Sequence, residues 1–390
     1  MMNQKAVILG GGRGIGLKIA KQLEKEEYDE IHLLGLHSPD DNNLTSKMVF
    51  HKVNVIEDDL FSVLDEIGEI QFLFISTGFG RVAPFSDLVD TEIVNSVKVN
   101  QLSIMRVIHY YYPLINSNKN FYCGIMGSIA GLIVSPLFSV YGATKAALCK
   151  FIESVNIELI EQNAVNRILN VSPGRLEGTS FHGQKQNLSV LEEISKEIID
   201  LMYKRETLFI PRYEETYKQV LLNYNNDALK FGRESYKYKI NSGDMNHTPQ
   251  VKVGYLSGTF DLFHIGHLNL LRRAKQYCDY LVVGVHSSGA WKGKDTFISL
   301  EERMEIVRNI KHVDEVIHSF AEDIDAYESV KYDYLFVGSD YQGSERFRRY
   351  EEFFANTSVQ IIYFPYTKSV SSTHLRKKVG KKSTLEGEDS

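Results

Sequence analysis

Cysteine is scarce, with only Cys123, Cys149 and Cys278 in 390 residues. No CxxC pair or metal-ligand spacing links them, which excludes a disulfide-stapled scaffold and argues against a structural zinc site. They read as core thiols in a reducing compartment. Tryptophan occurs once, at Trp291, and proline only eight times, so neither a collagen-like nor a low-complexity chain is indicated. Positive charge is not in excess: 44 Lys and Arg against 50 Asp and Glu give 44 − 50 = −6. No broad basic surface is therefore expected for nucleic acid or membrane, and anionic ligands must be met by local charge. No run of about 18 apolar residues occurs. The N-terminus enters an apolar strand without the layout of a signal peptide, so a cytoplasmic protein is expected.

With 43% hydrophobic and 24% charged residues, the chain is globular in composition and long enough for two or three domains. Two segments open alike, as a short apolar strand, a Gly-containing turn and a helical pattern: Ala6 to Leu9 before Gly10, and Val251 to Leu256 before Gly258. Apolar runs at 71–75, 120–126 and 167–171 alternate with helical stretches at 14–24 and 141–160. The same alternation returns with strands near 280–285, 315–318, 334–337 and 360–363. The pattern predicts two α/β domains, each a doubly wound parallel sheet, at 1–212 and 251–379. Between them, 213–250 is polar and Tyr/Asn/Lys-rich. It reads as a helical segment from about Glu214 to Phe231 followed by a linker, and 380–390 as a mobile charged tail.

Gly10, Gly14 and Gly16 form G-x-x-x-G-x-G at a strand-to-helix turn, where absent side chains let backbone N–H groups and the helix N-terminus meet a pyrophosphate. Tyr141 and Lys145, four apart, share one helical face, so the ammonium is expected to favour the phenolate of a tyrosine whose ordinary pKa is about 10. Ser128 can hold a substrate oxygen beside it. With Asn100, the run Tyr-Gly-Ala-Thr-Lys at 141–145, and Pro173-Gly174 before Thr179, residues 5–211 resemble the short-chain dehydrogenase/reductase family. The resemblance implies that Tyr141 donates a proton to a carbonyl, Ser128 polarises it, Lys145 also binds the nicotinamide ribose, and Asn100 carries a water into the proton relay. It also places Gly10, Arg13, Gly14, Ile15, Gly16, Asn54, Gly78, Pro173 and Gly174 along the cofactor. The family's Asn-Asn-Ala-Gly is here Ile75-Ser76-Thr77-Gly78, and its Asp ahead of the adenine is Asn54. Gly35, Leu36 and His37 offer no carboxylate to a ribose 2′-hydroxyl, whereas Arg13 can meet a 2′-phosphate, which favours NADP(H) over NAD(H).

In the second half, Gly258-Thr259-Phe260-Asp261-Leu262-Phe263-His264-Ile265-Gly266-His267 sets two histidines three apart at a helix start. Both imidazoles then face one turn near its positive end, an arrangement suited to a triphosphate. Zinc ligation by the pair lacks a third ligand. The whole string resembles the cytidylyltransferase family that includes glycerol-3-phosphate cytidylyltransferase, over about 251–379. The resemblance implies catalytic roles for His264, His267 and Lys294. It implies nucleotide contacts from Gly258, Thr259, Phe260, Lys292, Lys294, Arg303, Asp340, Ser371, Ser372 and Thr373. The family's Arg-Thr-Glu-Gly-Ile-Ser-Thr is here Tyr366-Thr367-Lys368-Ser369-Val370-Ser371-Ser372, which keeps the hydroxyls. CTP is favoured over ATP, with Mg²⁺ carried on the triphosphate and no protein metal site.

Taken together, the halves suggest one product in two steps. A ketose phosphate, first ribulose 5-phosphate, is reduced with NADPH, and the polyol phosphate is activated with CTP to a CDP-polyol for bacterial surface polysaccharide. Arg175, His182 and Lys185 are candidates to grip the sugar phosphate. The alternatives are a transferase with a non-catalytic nucleotide-sensing module, or two uncoupled enzymes. A homo-oligomer pairing through the long helix that ends near Ile160 is expected.

Overall fold

Strand β1 (Lys5–Leu9) is covered on both faces, with residues 6 to 9 all buried, as a central strand of a parallel sheet must be. Alternate side chains feed two separate cores: Val7 and Leu9 pack with Ile104, Val107 and Leu148, whereas Ala6 and Ile8 pack with Leu17 and Ile198. The computed structural model describes residues 4–56, 59–88, 90–179, 181, 185–242, 252–287 and 296–365. The chain divides into two compact units, Met1–Pro249 and Gln250–Ser390.

In the first unit, β2 (Glu30–Gly35), β3 (Met48–Lys52), β4 (Phe72–Ile75), β5 (Tyr122–Met126), β6 (Ile168–Val171) and β7 (Leu208–Phe209) join β1 in the order β3-β2-β1-β4-β5-β6-β7. Every pairing is parallel. Its helices are α1 (Gly14–Leu23), α2 (Asp59–Ile67), α3 (Asp90–Val97), α4 (Ser103–Ile115), α5 (Ser139–Glu161), α6 (Glu192–Tyr203), α7 (Lys218–Asn226) and α8 (Ala228–Asn241). The strand order reverses between β1 and β4, which opens a crevice at their carboxyl ends where α/β sheets take ligands.

The second unit repeats the plan on five parallel strands: β8 (Val253–Gly258), β9 (Tyr280–Val285), β10 (Glu315–His318), β11 (Tyr334–Gly338) and β12 (Gln360–Phe364), ordered β10-β9-β8-β11-β12. Helices α9 (Ile265–Lys275), α10 (Leu300–Arg308), α11 (Asp323–Val330) and α12 (Glu345–Phe354) cover it, and its switch point lies between β8 and β11.

The segment after β7 differs from the expected single helix and linker. The helix expected from Glu214 to Phe231 is broken at Asp227, whose extended backbone ends α7 and whose carboxylate accepts from the Lys230 N–H to start α8. The chain then stays helical to Asn241. Such a cap is worth about 1 kcal/mol, enough to divide one polar helical stretch into two.

Candidate active sites

The turn after β1 is shaped by close approach. A Cβ on Gly12 would lie 1.9 Å from the His37 carbonyl oxygen, and one on Gly16 2.6 Å from that of Gly10, while Gly10 and Gly14 hold φ of +81° and +56°. Glycine is the residue that tolerates both demands. Ser76, at the end of β4, braces the turn by donating toward the carbonyls of Leu9 and Gly10 at 3.1 and 3.3 Å. The departure from the family's Asn at this position therefore has a structural task. Ile15 is buried in the first turn of α1, so only its backbone can serve a ligand, whereas Arg13 stands exposed at the N-cap position with no capping side-chain bond. The Gly14 N–H donates to Gln186 Oε1 at 2.8 Å. An oxygen acceptor thus already sits at the α1 N-terminus, as a phosphate oxygen would, and the turn fits a dinucleotide. Asn54 forms a local turn at the end of β3, accepting from the Ile56 N–H.

Beside this turn, Ser128, Tyr141, Lys145 and Asn100 converge and are all buried. Ser128 accepts from the Ala130 N–H at 3.2 Å, and its hydroxyl lies near enough to Tyr141 to lower that group's pKa. The Tyr141 ring stacks on Phe138 with centroids 4.2 Å apart, and a Cβ on Gly80 would strike both rings. Lys145 Nζ donates to the Met126 carbonyl at 2.7 Å and lies 5.7 Å from the centre of the Tyr141 ring. The expected stabilisation of a phenolate is not what the structure shows. Burial pushes Tyr141 up to about 12 against the lowering effect of Ser128, and burial pulls Lys145 down to about 8. Desolvation is the largest cause for both groups, so Tyr141 is held as a phenol, the form a proton donor needs.

Asn100 lies in a π-helical turn, Lys98–Leu102, between α3 and α4. Its amide donates to the Phe79 carbonyl at 2.8 Å and to Thr144 Oγ1 at 3.2 Å, and accepts from the Phe79 N–H at 2.9 Å. Both amide protons are committed, so the side chain braces the 78–80 loop. A Cβ on Gly78 would lie 3.3 Å from Asn100 Oδ1 and 3.5 Å from Lys145 Nζ. Pro173 accepts from the Ile129 N–H through its carbonyl, and Gly174 is overlain by the Tyr217 ring.

In the second unit, the turn leaving β8 carries Phe260 and Leu262 in the left-handed region at φ +51° and +49°. Such strain at non-glycine residues persists only where the surroundings over-determine the backbone. Buried Asp261 supplies part of that hold, its Oδ1 accepting from the Phe297 and Ile298 N–H groups at 3.0 and 3.1 Å. Arg303 supplies more: fully buried on α10, it donates to the carbonyls of Ile298, Thr259, His286 and Ser287 at 2.6 to 3.0 Å. With four of its five N–H groups on backbone carbonyls, the guanidinium braces the turn from behind. A Cβ on Gly258 would meet the Phe260 ring at 2.9 Å, so a larger residue there would displace that ring.

His264 caps α9, its Nδ1 accepting from the Gly266 N–H at 3.0 Å. The ring proton is thereby on Nε2, and burial lowers the pKa, so the imidazole is a neutral donor. His267 stacks on it with ring centres 4.0 Å apart and is flanked by Phe260 and Phe263. Asp340 lies exposed after β11 with its carboxylate folded toward Gly338. Lys292, Lys294, Ser371, Ser372, Thr373, Trp291 and His182 lie outside the described residues, whereas Arg175 and Lys185 are exposed.

Comparison with known proteins follows the same division. Residues 4–188 match the short chain dehydrogenase model, and residues 255–378 the cytidylyltransferase-like model. Glycerol-3-phosphate cytidylyltransferase of Bacillus subtilis is 32% identical over 126 residues, 31% of this chain and 92% of that protein. An uncharacterized oxidoreductase of Staphylococcus epidermidis is 28% identical over 195 residues, 46% of this chain and 84% of that protein. A short chain dehydrogenase from Burkholderia cenocepacia, solved with NADP, superposes with a TM-score of 0.50 at 16% identity, covering 60% of this chain and 99% of that one. A Burkholderia phymatum relative solved with NAD gives 0.50 at 14%, covering 58% and 95%. The chain is thus a two-domain fusion, belonging to the short-chain dehydrogenases through its first unit and to the cytidylyltransferase-like family through its second.

Proposed function

We propose that this chain makes a CDP-polyol in two steps. The region 1–212 reduces a ketose phosphate, ribulose 5-phosphate first, with NADPH, and the region 251–379 transfers a cytidylyl group from CTP to the polyol phosphate, for a bacterial surface polysaccharide. The observation that carries the reading is the coexistence in one chain of the buried Ser128–Tyr141 pair with Lys145 and the stacked His264–His267 pair.

The dinucleotide would lie along Gly10 to Gly16 with its ribose toward Lys145, and it supplies the hydride. Ser128 holds the carbonyl oxygen and Tyr141 gives it a proton, so the ketone becomes a hydroxyl. Exposed Arg13 favours the 2′-phosphate. In the second step an oxygen of the polyol phosphate bonds to the α-phosphorus of CTP as the bond to pyrophosphate breaks. No covalent intermediate on the protein is needed. The Nε2–H of His264, together with His267, donates to the phosphoryl oxygens as charge develops, while Lys292 and Lys294 neutralise the triphosphate and Mg²⁺ enters with it. NADPH oxidation measured across a panel of ketose phosphates tests the first step. The reading expects turnover with a pentulose phosphate and fails if no member of the panel is reduced.

A further inference from the structure

The loop that precedes the α5 helix is held partly from outside. Leu137 has φ +62°, a conformation that a bulky residue keeps only when neighbours impose it. Part of the hold is the Ala83 N–H donating to the Leu137 carbonyl at 2.7 Å. Leu137 also packs with Val82 and Ala130, and a further hold comes from α8, more than ninety positions away in the sequence. Buried Gly232 brings α8 against Val134, a Cβ there lying 3.3 Å from Val134 Cγ1. Further along the same helix, Lys239 Nζ donates to Ser135 Oγ at 2.7 Å and to the Pro136 carbonyl at 2.9 Å, and stands 5.7 Å from the centre of the Phe138 ring. Phe138 is the ring stacked on Tyr141.

We infer that Lys239 is a positioning residue of the reductase site: through α8 it clamps the 134–138 loop so that Phe138 fixes the Tyr141 ring. The contacts run without a break from the ammonium to the first turn of α5 and the Tyr141 ring. Lys239 ties Ser135 and Pro136, the Phe138 N–H donates to the Ser135 carbonyl, and the Phe138 carbonyl accepts from the Gly142 N–H in the first turn of α5. An ammonium suits the task because one head can donate to a hydroxyl and a carbonyl together while its cation faces an aromatic ring. The same segment reaches the other side of the site, where Tyr217 covers Gly174. The polar stretch that reads as a linker is in this account part of the site's wall. The inference rests on Tyr141 being the proton donor.

The test uses the full-length protein with Lys239→Met and Lys239→Arg. Lys239→Met keeps the stem and removes the donors, so kcat for reduction of ribulose 5-phosphate, or of 2,3-butanedione as a generic carbonyl, should fall about tenfold to a hundredfold through misplacement of Tyr141. Binding of NADPH and cytidylyl transfer to ribitol 5-phosphate should stay within about twofold, and Lys239→Arg should recover most of the loss. Amide hydrogen exchange, which needs no turnover, should quicken about tenfold across 134–142 in Lys239→Met and stay unchanged in β1. Unchanged exchange in that segment overturns the inference whatever the rates. Loss of NADPH binding together with faster exchange in β1 also overturns it, because Lys239 would then serve the fold at large. A wild type that reduces neither carbonyl, with exchange still quickened locally, leaves the clamp standing and refutes the proton-donor reading instead.

Discussion

Replacing Arg303 by methionine separates bracing from ligand binding. The side chain is wholly buried and donates four hydrogen bonds to backbone carbonyls that join the turn after β8, the end of β9 and the start of α10. At about 1.5 to 3 kcal/mol for each charged hydrogen bond the gross sum is large, but desolvation of the guanidinium offsets much of it. A loss of about 3 to 5 kcal/mol is expected on truncation, because buried carbonyls are left without donors. At about 3 °C per kcal/mol for a domain of this size, the second unit should melt roughly 10 to 15 °C lower. The first unit should be untouched, and calorimetry on the full chain with and without NADPH can assign each transition. Arg303→Lys should recover little, since a compact ammonium cannot span four carbonyls. If Arg303→Met melted within about 2 °C of wild type yet no longer bound CTP, Arg303 would be a nucleotide ligand and the bracing argument would be wrong.

Arg13→Ala should raise KM for NADPH about tenfold to a hundredfold, the loss of one charged hydrogen bond, and change that for NADH little; equal weakening of both would place Arg13 on the pyrophosphate or in the loop itself. Because burial holds Lys145 near 8, below its ordinary 10.5, it carries its proton below about pH 8 and loses it above. The kcat/KM for reduction, which reports the free enzyme, should therefore fall as pH rises through about 8, and a flat profile to pH 10 would contradict this. Ile157 and Ile160 on α5 are exposed, and sedimentation at micromolar concentration should show more than one copy, a monomer being the contrary result.

Most of both sheets is legible in the sequence because their strands are short apolar runs bounded by turn residues, and the strands at 280–285 and 315–318 are found where the sequence places them. The glycine turn, Ser128, Tyr141, Lys145, His264 and His267 are legible for a related reason: spacing on a helix or turn dictates which side chains meet. What spacing does not carry is commitment. Nothing in Glu302-Arg303 reveals that the arginine is buried among carbonyls, nor in Asn100 that Phe79 occupies its amide. The segment 213–242 fails in a different way. Its polar composition suggests a linker, and the contacts that anchor it rest on isolated residues, Tyr217, Gly232 and Lys239, whose partners are remote in sequence. Asp227 is the signal that the sequence does offer, as a capping residue ahead of a second helix.

The central claim is that one chain carries carbon from a ketose phosphate to a CDP-polyol. The most direct measurement incubates the purified protein with ribulose 5-phosphate, NADPH, CTP and Mg²⁺ and follows NADPH, pyrophosphate and the nucleotide product by mass spectrometry. The account predicts CDP-ribitol with one NADPH oxidised and one pyrophosphate released for each molecule formed. With Tyr141→Phe, product from ribulose 5-phosphate should fall by about two to four orders of magnitude while product from ribitol 5-phosphate persists. Contradiction would be cytidylylation of polyol phosphates with no NADPH consumed on any corresponding ketose phosphate, or a Tyr141→Phe protein that remains folded and loses both activities.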